Sequence, residues 1–170
     1  MQQMTSALAN KMIKNLEEDK AYWTNKERSS CTYVASVNEE PVIPEYDFST
    51  VNRTIAEIDI KIANIKHAIN LANATAKVTV DDSQLSVDTI LVKMAQLSRR
   101  KEFLDMLRKY IPKEREEPHY GVRNAVPEYR YINYDLDIVK GEYERVSKEI
   151  MDMQLALDKY NQTVTFEVDI

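Results

Sequence analysis

An uninterrupted run of apolar residues at heptad spacing constrains the fold of this chain more than any other feature of its sequence. Seven apolar positions follow one another at alternating intervals of four and three residues. They are Val51, Ile55, Ile58, Ile62, Ile65, Ile69 and Ala72. Because both intervals return to one side of an α-helix, the pattern is typical of a helix that lies along another helix. It predicts a long helix over residues 49–73.

Three further helices are predicted by the same reasoning. A second set of seven apolar or aromatic positions repeats the alternation of four and three. They are Val139, Tyr143, Val146, Ile150, Met153, Leu157 and Tyr160. This seam predicts a helix over residues 136–161, and two matched seams imply a pair of packed helices. Shorter amphipathic patterns predict helices over residues 6–28 and 86–111, and Pro112 ends the second of them.

Short extended segments are predicted where the sequence is β-branched or alternating. They lie near residues 32–37, 77–80, 129–134 and 163–170. The C-terminal strand needs a partner, and either of the first two segments would supply one. The predicted fold is therefore mainly α, a single domain over residues 1–170. We expect an elongated four-helix hairpin or bundle with a small β element from the connections and the C-terminus.

Apolar residues outside the two seams indicate self-association. Ala56 and Ile60 lie off the first seam, and Met151 and Leu155 lie off the second. Both helices therefore have more apolar surface than one partner helix covers. We expect a homo-oligomer, most simply a dimer.

Charge and composition exclude several classes of function. A net charge of −5 and a pI near 5.2 oppose binding to duplex nucleic acid, which requires a basic surface. Cys31 is the one cysteine, which excludes an intramolecular disulfide and fits a reducing compartment. The N-terminus lacks the apolar stretch of a signal peptide, and no apolar run approaches the length of a membrane helix. We expect a cytoplasmic protein that does not bind membranes.

The sequence contains no motif that indicates catalysis. Glycine-rich phosphate loops, G-x-S-x-G and H-E-x-x-H are all missing. Glu116 and His119 have the E-x-x-H spacing of a helical metal site, but Pro118 between them opposes a helix. His67 lies opposite the heptad seam and is predicted to be a solvated surface residue. We expect no enzymatic activity, no metal and no cofactor.

The stretch HYGVRNAVPEYRYINY, residues 119–134, is the candidate binding site. It contains four of the ten tyrosines, two arginines and one of the two histidines. Tyrosine offers a flat ring for a base, and arginine offers a planar fork that matches phosphate. The residues predicted to bind phosphate are Arg123 and Arg130, with Arg115. Those predicted to stack on a base are Tyr120, Tyr129 and Tyr131. Those predicted to hydrogen-bond the polar edges of the base are His119 and Asn124.

The same composition is also typical of two other roles. Tyrosines can clamp a long loop onto helices, and Tyr and Arg are enriched at subunit interfaces. The sequence therefore leaves a second function open, that of a structural or protein-interaction helical module without a small-molecule ligand. In an extended YRYINY, Tyr129 and Tyr131 would face one side, and Arg130, Ile132 and Tyr134 the other.

Several short strings resemble the septicolysin-like family of helical proteins from bacteria and phages. They are Ile69, Asn70, Asn73 and Thr75; Leu85 and Ser86; Glu128, Tyr129 and Arg130; and Ser147 and Lys148, which precede Asn161 by fourteen and thirteen residues. Gln162 stands where the family has a tryptophan, so the C-terminal end departs from the pattern. The resemblance spans nearly the whole chain and implies a helical fold.

The chain is similar, more loosely, to small oligomeric phage proteins that sequester nucleotide signals of bacterial immunity. Such signals include cyclic ADP-ribose isomers made by TIR-domain enzymes. This second resemblance implies a homo-oligomer that binds a small phosphate-bearing nucleotide without chemistry and inhibits immune signalling. It would act in the host cytoplasm if the chain is phage-encoded.

Overall fold

The computed structural model describes residues 1–116 and 126–170, which form four helices. They are α1 (Ser6–Ser30), α2 (Phe48–Thr75), α3 (Val87–Leu107) and α4 (Leu136–Thr163). The prediction of a mainly helical chain is confirmed. Within these ranges, no helix is both long enough and apolar enough to span a bilayer.

Six short strands in the described ranges pair two by two. They are β1 (Gln2–Thr5), β2 (Lys77–Val80), β3 (Ser83–Ser86), β4 (Lys113–Arg115), β5 (Tyr129–Tyr131) and β6 (Thr165–Val168). β1 pairs with β6, β2 with β3, and β4 with β5. The first and third pairs are antiparallel. The small β element predicted from the sequence is therefore present as separate two-stranded pairs.

The partner of the C-terminal strand differs from both segments proposed for it. β6 pairs with β1, and the register sets Gln2 opposite Val168 and Thr5 opposite Thr165. Residues 32–37 form no strand, and Val34 and Val37 there are fully exposed. Only the last residue of QQMT is β-branched. The segment therefore forms a strand because it pairs with β6, and not because its residues favour strands.

The described residues cluster into two compact units. The first comprises Met1–Val78 and Leu157–Ile170, and the second comprises Thr79–Ala156. α4 begins in the second unit and ends in the first.

α1, α2 and the β1–β6 pair form the core of the first unit. Its buried residues are Met4, Ala9, Ile13, Ile65 and Val168. In α2, three residues of the predicted seam at seven-residue spacing, Val51, Ile58 and Ile65, are buried. The packing of this seam against that of α4 stays a prediction.

α3 and the first part of α4 enclose the core of the second unit. Its buried residues are Leu104, Val139 and Val146. α3 ends at Leu107, one turn before the predicted end at residue 111. The Tyr134 hydroxyl donates a hydrogen bond of 2.6 Å to the Leu107 carbonyl. The same carbonyl also accepts a hydrogen bond of 3.3 Å from Tyr110 N–H, so two residues beyond the helix end satisfy it.

Candidate functional site

The eight predicted site residues divide into two groups. Arg115, Tyr129, Arg130 and Tyr131 belong to the described residues. His119, Tyr120, Arg123 and Asn124 lie outside the described residues. The candidate site is therefore built from the β4–β5 pair of the second unit.

The β4–β5 pair brings together residues that the sequence separates by a long connection. Its register sets Lys113 opposite Tyr131, Glu114 opposite Arg130, and Arg115 opposite Tyr129. One further backbone bond extends the pairing at each end. Glu116 N–H donates to the Glu128 carbonyl at 2.9 Å, and Ile132 N–H donates to the Pro112 carbonyl at 3.4 Å. Pro112 can take part because the pairing uses its carbonyl and not the N–H that proline lacks.

The register sorts the side chains onto two faces. Directly opposite residues of an antiparallel pair share a face, and successive residues alternate between faces. One face therefore has two tyrosines and two cations, and we call it the tyrosine face: Lys113, Arg115, Tyr129 and Tyr131. Glu114 and Arg130 belong to the opposite face.

On the tyrosine face, one lysine contacts both rings. Lys113 Nζ lies 4.2 Å from the ring centre of Tyr129 and 5.5 Å from that of Tyr131. The two ring centres are 6.5 Å apart, and their planes are tilted by 51°. The tyrosines are 44% and 62% exposed. The face therefore offers solvent-accessible aromatic surface beside a positive charge.

Arg130 is already paired with a carboxylate on the same strand pair. Its Nη2 lies 2.6 Å from Oε1 of Glu116, and both side chains are substantially exposed. An anion that bound Arg130 would first have to displace Glu116. Exposed ion pairs contribute little free energy, so this competition is not a large barrier.

A small cavity of about 210 Å³ adjoins Arg130. Its lining residues are Tyr110, Ile111, Glu114, Arg130, Tyr131, Ile132, Asn133 and Tyr134. Pockets that enclose a drug-sized ligand have volumes of about 300 Å³ or more. The cavity can therefore take one group of a ligand, such as a phosphate or a ring, but not a whole nucleotide.

Tyr134 supports the site and does not line the tyrosine face. It packs against the core of the second unit and donates its hydroxyl hydrogen bond to Leu107 of α3. Burial, followed by the nearby Tyr110, raises the pKa of Tyr134 above its ordinary value. This tyrosine anchors the segment after β5, as the loop-clamp interpretation of the sequence predicts.

Sequence reasoning missed Lys113. It lies outside the tyrosine-rich stretch, and only the cross-strand register brings it to Tyr129 and Tyr131. A strand prediction for KER would have found it, but three charged residues in a row give no strand signal.

Two cations that directly follow α3 are paired with one carboxylate of that helix. Arg108 and Lys109 both pair with Asp105, and Arg108 also lies 4.1 Å from the ring centre of Tyr143. Hydrogen bonds from Lys109 and then Arg108 lower the pKa of Asp105. In residues 1–116 and 126–170, no three His, Cys, Asp or Glu side chains are grouped to hold a metal ion.

No protein-family model, curated protein or solved structure matches this chain. The resemblance to the septicolysin-like family and to nucleotide-sequestering phage proteins stays a prediction.

Proposed function

We propose that this chain is a non-enzymatic, homo-oligomeric protein that binds and sequesters a phosphate-bearing nucleotide, such as a cyclic ADP-ribose isomer. The observation that carries the proposal is the position of Lys113 against both Tyr129 and Tyr131. In this proposal the protein removes a nucleotide signal of bacterial immunity, as a phage-encoded inhibitor would.

The tyrosine face supports the proposal because it combines the two contacts that a nucleotide needs. A base stacked on an aromatic side chain is stabilised by about 1–3 kcal/mol. Lys113 and Arg115 lie on the same face as the rings, so a phosphate attached to a stacked nucleoside meets a cation. Arg115 can bind a phosphate through two parallel hydrogen bonds.

Arg130 supplies a further phosphate contact from the opposite face. Its exposed pair with Glu116 is worth about 0–1 kcal/mol. A phosphate can therefore replace the carboxylate at Arg130 at little cost in free energy.

Calorimetric titration with cyclic ADP-ribose isomers and cyclic dinucleotides tests the proposal. We expect micromolar or tighter binding of at least one compound. Lys113→Ala and Tyr131→Ala should each weaken that binding about tenfold or more, because each removes a contact of the tyrosine face. Tyr33→Ala is the matched control, since Tyr33 is a 51% exposed tyrosine of the other unit.

Two outcomes contradict the proposal. One is a lack of micromolar binding to every compound of the panel, and the other is equal binding by wild type and the Lys113→Ala and Tyr131→Ala variants. Chromatography of the nucleotide after incubation separates sequestration from hydrolysis, and we expect the nucleotide to be recovered unchanged.

The second candidate function is a structural or protein-interaction module. The exposure of Tyr129 and Tyr131 beside two cations favours it, because Tyr and Arg are enriched in protein interfaces. This function predicts that Tyr129→Ala weakens self-association or partner binding. It also predicts that no nucleotide raises the melting temperature.

A further inference from the structure

A second set of residues at heptad spacing lies on the exposed side of α2. We call it the α2 stripe: Ile60, Asn64, His67 and Leu71, at intervals of four, three and four. Ile60 is 61% exposed and Leu71 is 58% exposed. At 100° per residue the four positions fall within one narrow sector, well away from the buried Ile65. α2 therefore has a second seam that its own unit does not cover.

Two adjoining hollows run along the α2 stripe and beside β6. One, of about 650 Å³, is lined in part by His67, Leu71 and Phe166. The other, of about 300 Å³, is lined in part by Ile60 and Lys61. Asn64 and Asp169 line both hollows. Because the hollows share these two residues, they form one groove beside the stripe.

The order of residues in the stripe is self-complementary when two copies run antiparallel. The stripe is apolar at both ends and polar in the middle. In an antiparallel pair, Ile60 of one copy meets Leu71 of the other, and Asn64 meets His67. The apolar ends are then buried together. The Asn64 amide nitrogen already donates to the Asp169 carbonyl of its own chain at 3.0 Å, and the Asn64 side-chain oxygen remains to accept a hydrogen bond from His67 of the other copy. A two-fold interface requires a patch that complements itself in this way.

The charges beside the stripe also favour the antiparallel arrangement. Lys61 lies at the Ile60 end of the groove, and Glu167 lines it at the Leu71 end. Glu57, also at the Ile60 end, is already close to Arg53, at 4.0 Å. Antiparallel pairing brings Lys61 of each copy toward Glu167 of the other. A parallel arrangement would set like charges side by side.

We infer that the α2 stripe is a two-fold interface at which two copies of this chain pair antiparallel through α2. The inference concerns the first unit alone. It goes beyond the proposed function by assigning the self-association to particular residues, and it is tested without a nucleotide.

Sedimentation equilibrium of the full chain is the first test. We expect an even number of subunits at micromolar concentration. Ile60→Glu and Leu71→Glu should each weaken the pairing about a hundredfold or more, since each places an unpaired charge in an apolar contact. Val42→Glu is the control, because Val42 is a 90% exposed apolar residue outside the stripe. Circular dichroism checks that each variant is folded.

Three results of this test overturn the inference. They are a wild-type monomer, a pairing that survives both glutamate variants, and a pairing that only Val42→Glu abolishes. The last would assign the contact to the segment before α2.

Disulfide trapping is the second test, and it also determines the direction of pairing. In a Cys31→Ser background, Ile60→Cys and Leu71→Cys chains are oxidised separately and as a mixture. We expect a cross-linked dimer from the mixture alone. In the antiparallel pair, the Cα atoms of the two copies of residue 60 are about 16 Å apart along the helix axis. A disulfide requires Cα atoms within roughly 7 Å, so neither variant can cross-link with itself. Cross-linking of either variant with itself, or no cross-linking at all, overturns the arrangement.

Discussion

Lys113 contacts the rings of two tyrosines that follow it by sixteen and eighteen residues in the sequence. At the scale of single residues, this contact defines the candidate site. Composition pointed to Tyr129, Tyr131 and Arg130, and strand alternation predicted that Arg130 faces away from the two tyrosines. The cation nearest the rings is a lysine outside the tyrosine-rich stretch.

The hydroxyl of Tyr134 should matter for stability, while that of Tyr131 should not. Tyr134→Phe removes the hydrogen bond to the Leu107 carbonyl at the end of α3. We expect the melting temperature to fall by roughly 2–4 °C, as the loss of one such bond implies for a chain of this size. Tyr131→Phe, at a 62% exposed side chain, is the matched control. Equal melting temperatures for both variants would show that the bond contributes nothing.

At the scale of elements, side-chain caps mark the start of α1 and of α2. Thr5 Oγ1 accepts a hydrogen bond from Leu8 N–H at the start of α1, and Asp47 Oδ2 accepts one from Thr50 N–H at the start of α2. Aspartate is one of the residue types preferred at the position before a helix. By contrast, β1 was not predicted. Its residues become a strand only because β6 lies beside them.

The cap of α2 should make stability depend on acid pH. Hydrogen bonds from Thr50, first from its hydroxyl and then from its N–H, lower the pKa of Asp47 below its ordinary value of 3.8. The ionised carboxylate is therefore favoured in the folded state. Its contribution is present above pH 3.8 and is lost as the pH falls through the lowered pKa.

Thermal unfolding of Asp47→Ala and Asp47→Asn measures this effect. At neutral pH we expect Asp47→Ala to melt roughly 2–4 °C below wild type. That difference should shrink below pH 3.8. Asp47→Asn is the control because it keeps an accepting oxygen but does not titrate, so it should stay close to wild type at neutral pH. A difference between wild type and Asp47→Ala that stays constant into acid would contradict the assignment.

At the scale of the whole molecule, the chain has two units, each with its own buried cluster. Ile65 is fully buried in the first cluster, and Val146 is fully buried in the second. Regions with separate cores can open separately, and the opening free energy then differs between them.

Amide hydrogen exchange on Ile65→Ala and Val146→Ala tests this independence. Ile65→Ala should cost about 2–5 kcal/mol because it leaves a cavity in a tight cluster, and Val146→Ala should cost less. We expect the first variant to accelerate exchange mainly in residues 1–78 and 157–170, and the second mainly in the other unit. If either variant accelerated exchange equally throughout, the two units would form a single cooperative core.

The sequence by itself determined the four helices of the described chain and the approximate extent of three of them, because helical spacing and capping are local properties. It also identified the tyrosine-rich stretch as chemically distinct. Only the tertiary structure decided that β6 pairs with β1 and that Lys113 joins Tyr129 and Tyr131. Each of these depends on which distant segments come together, and such pairings are not recorded in the spacing of residues along one segment.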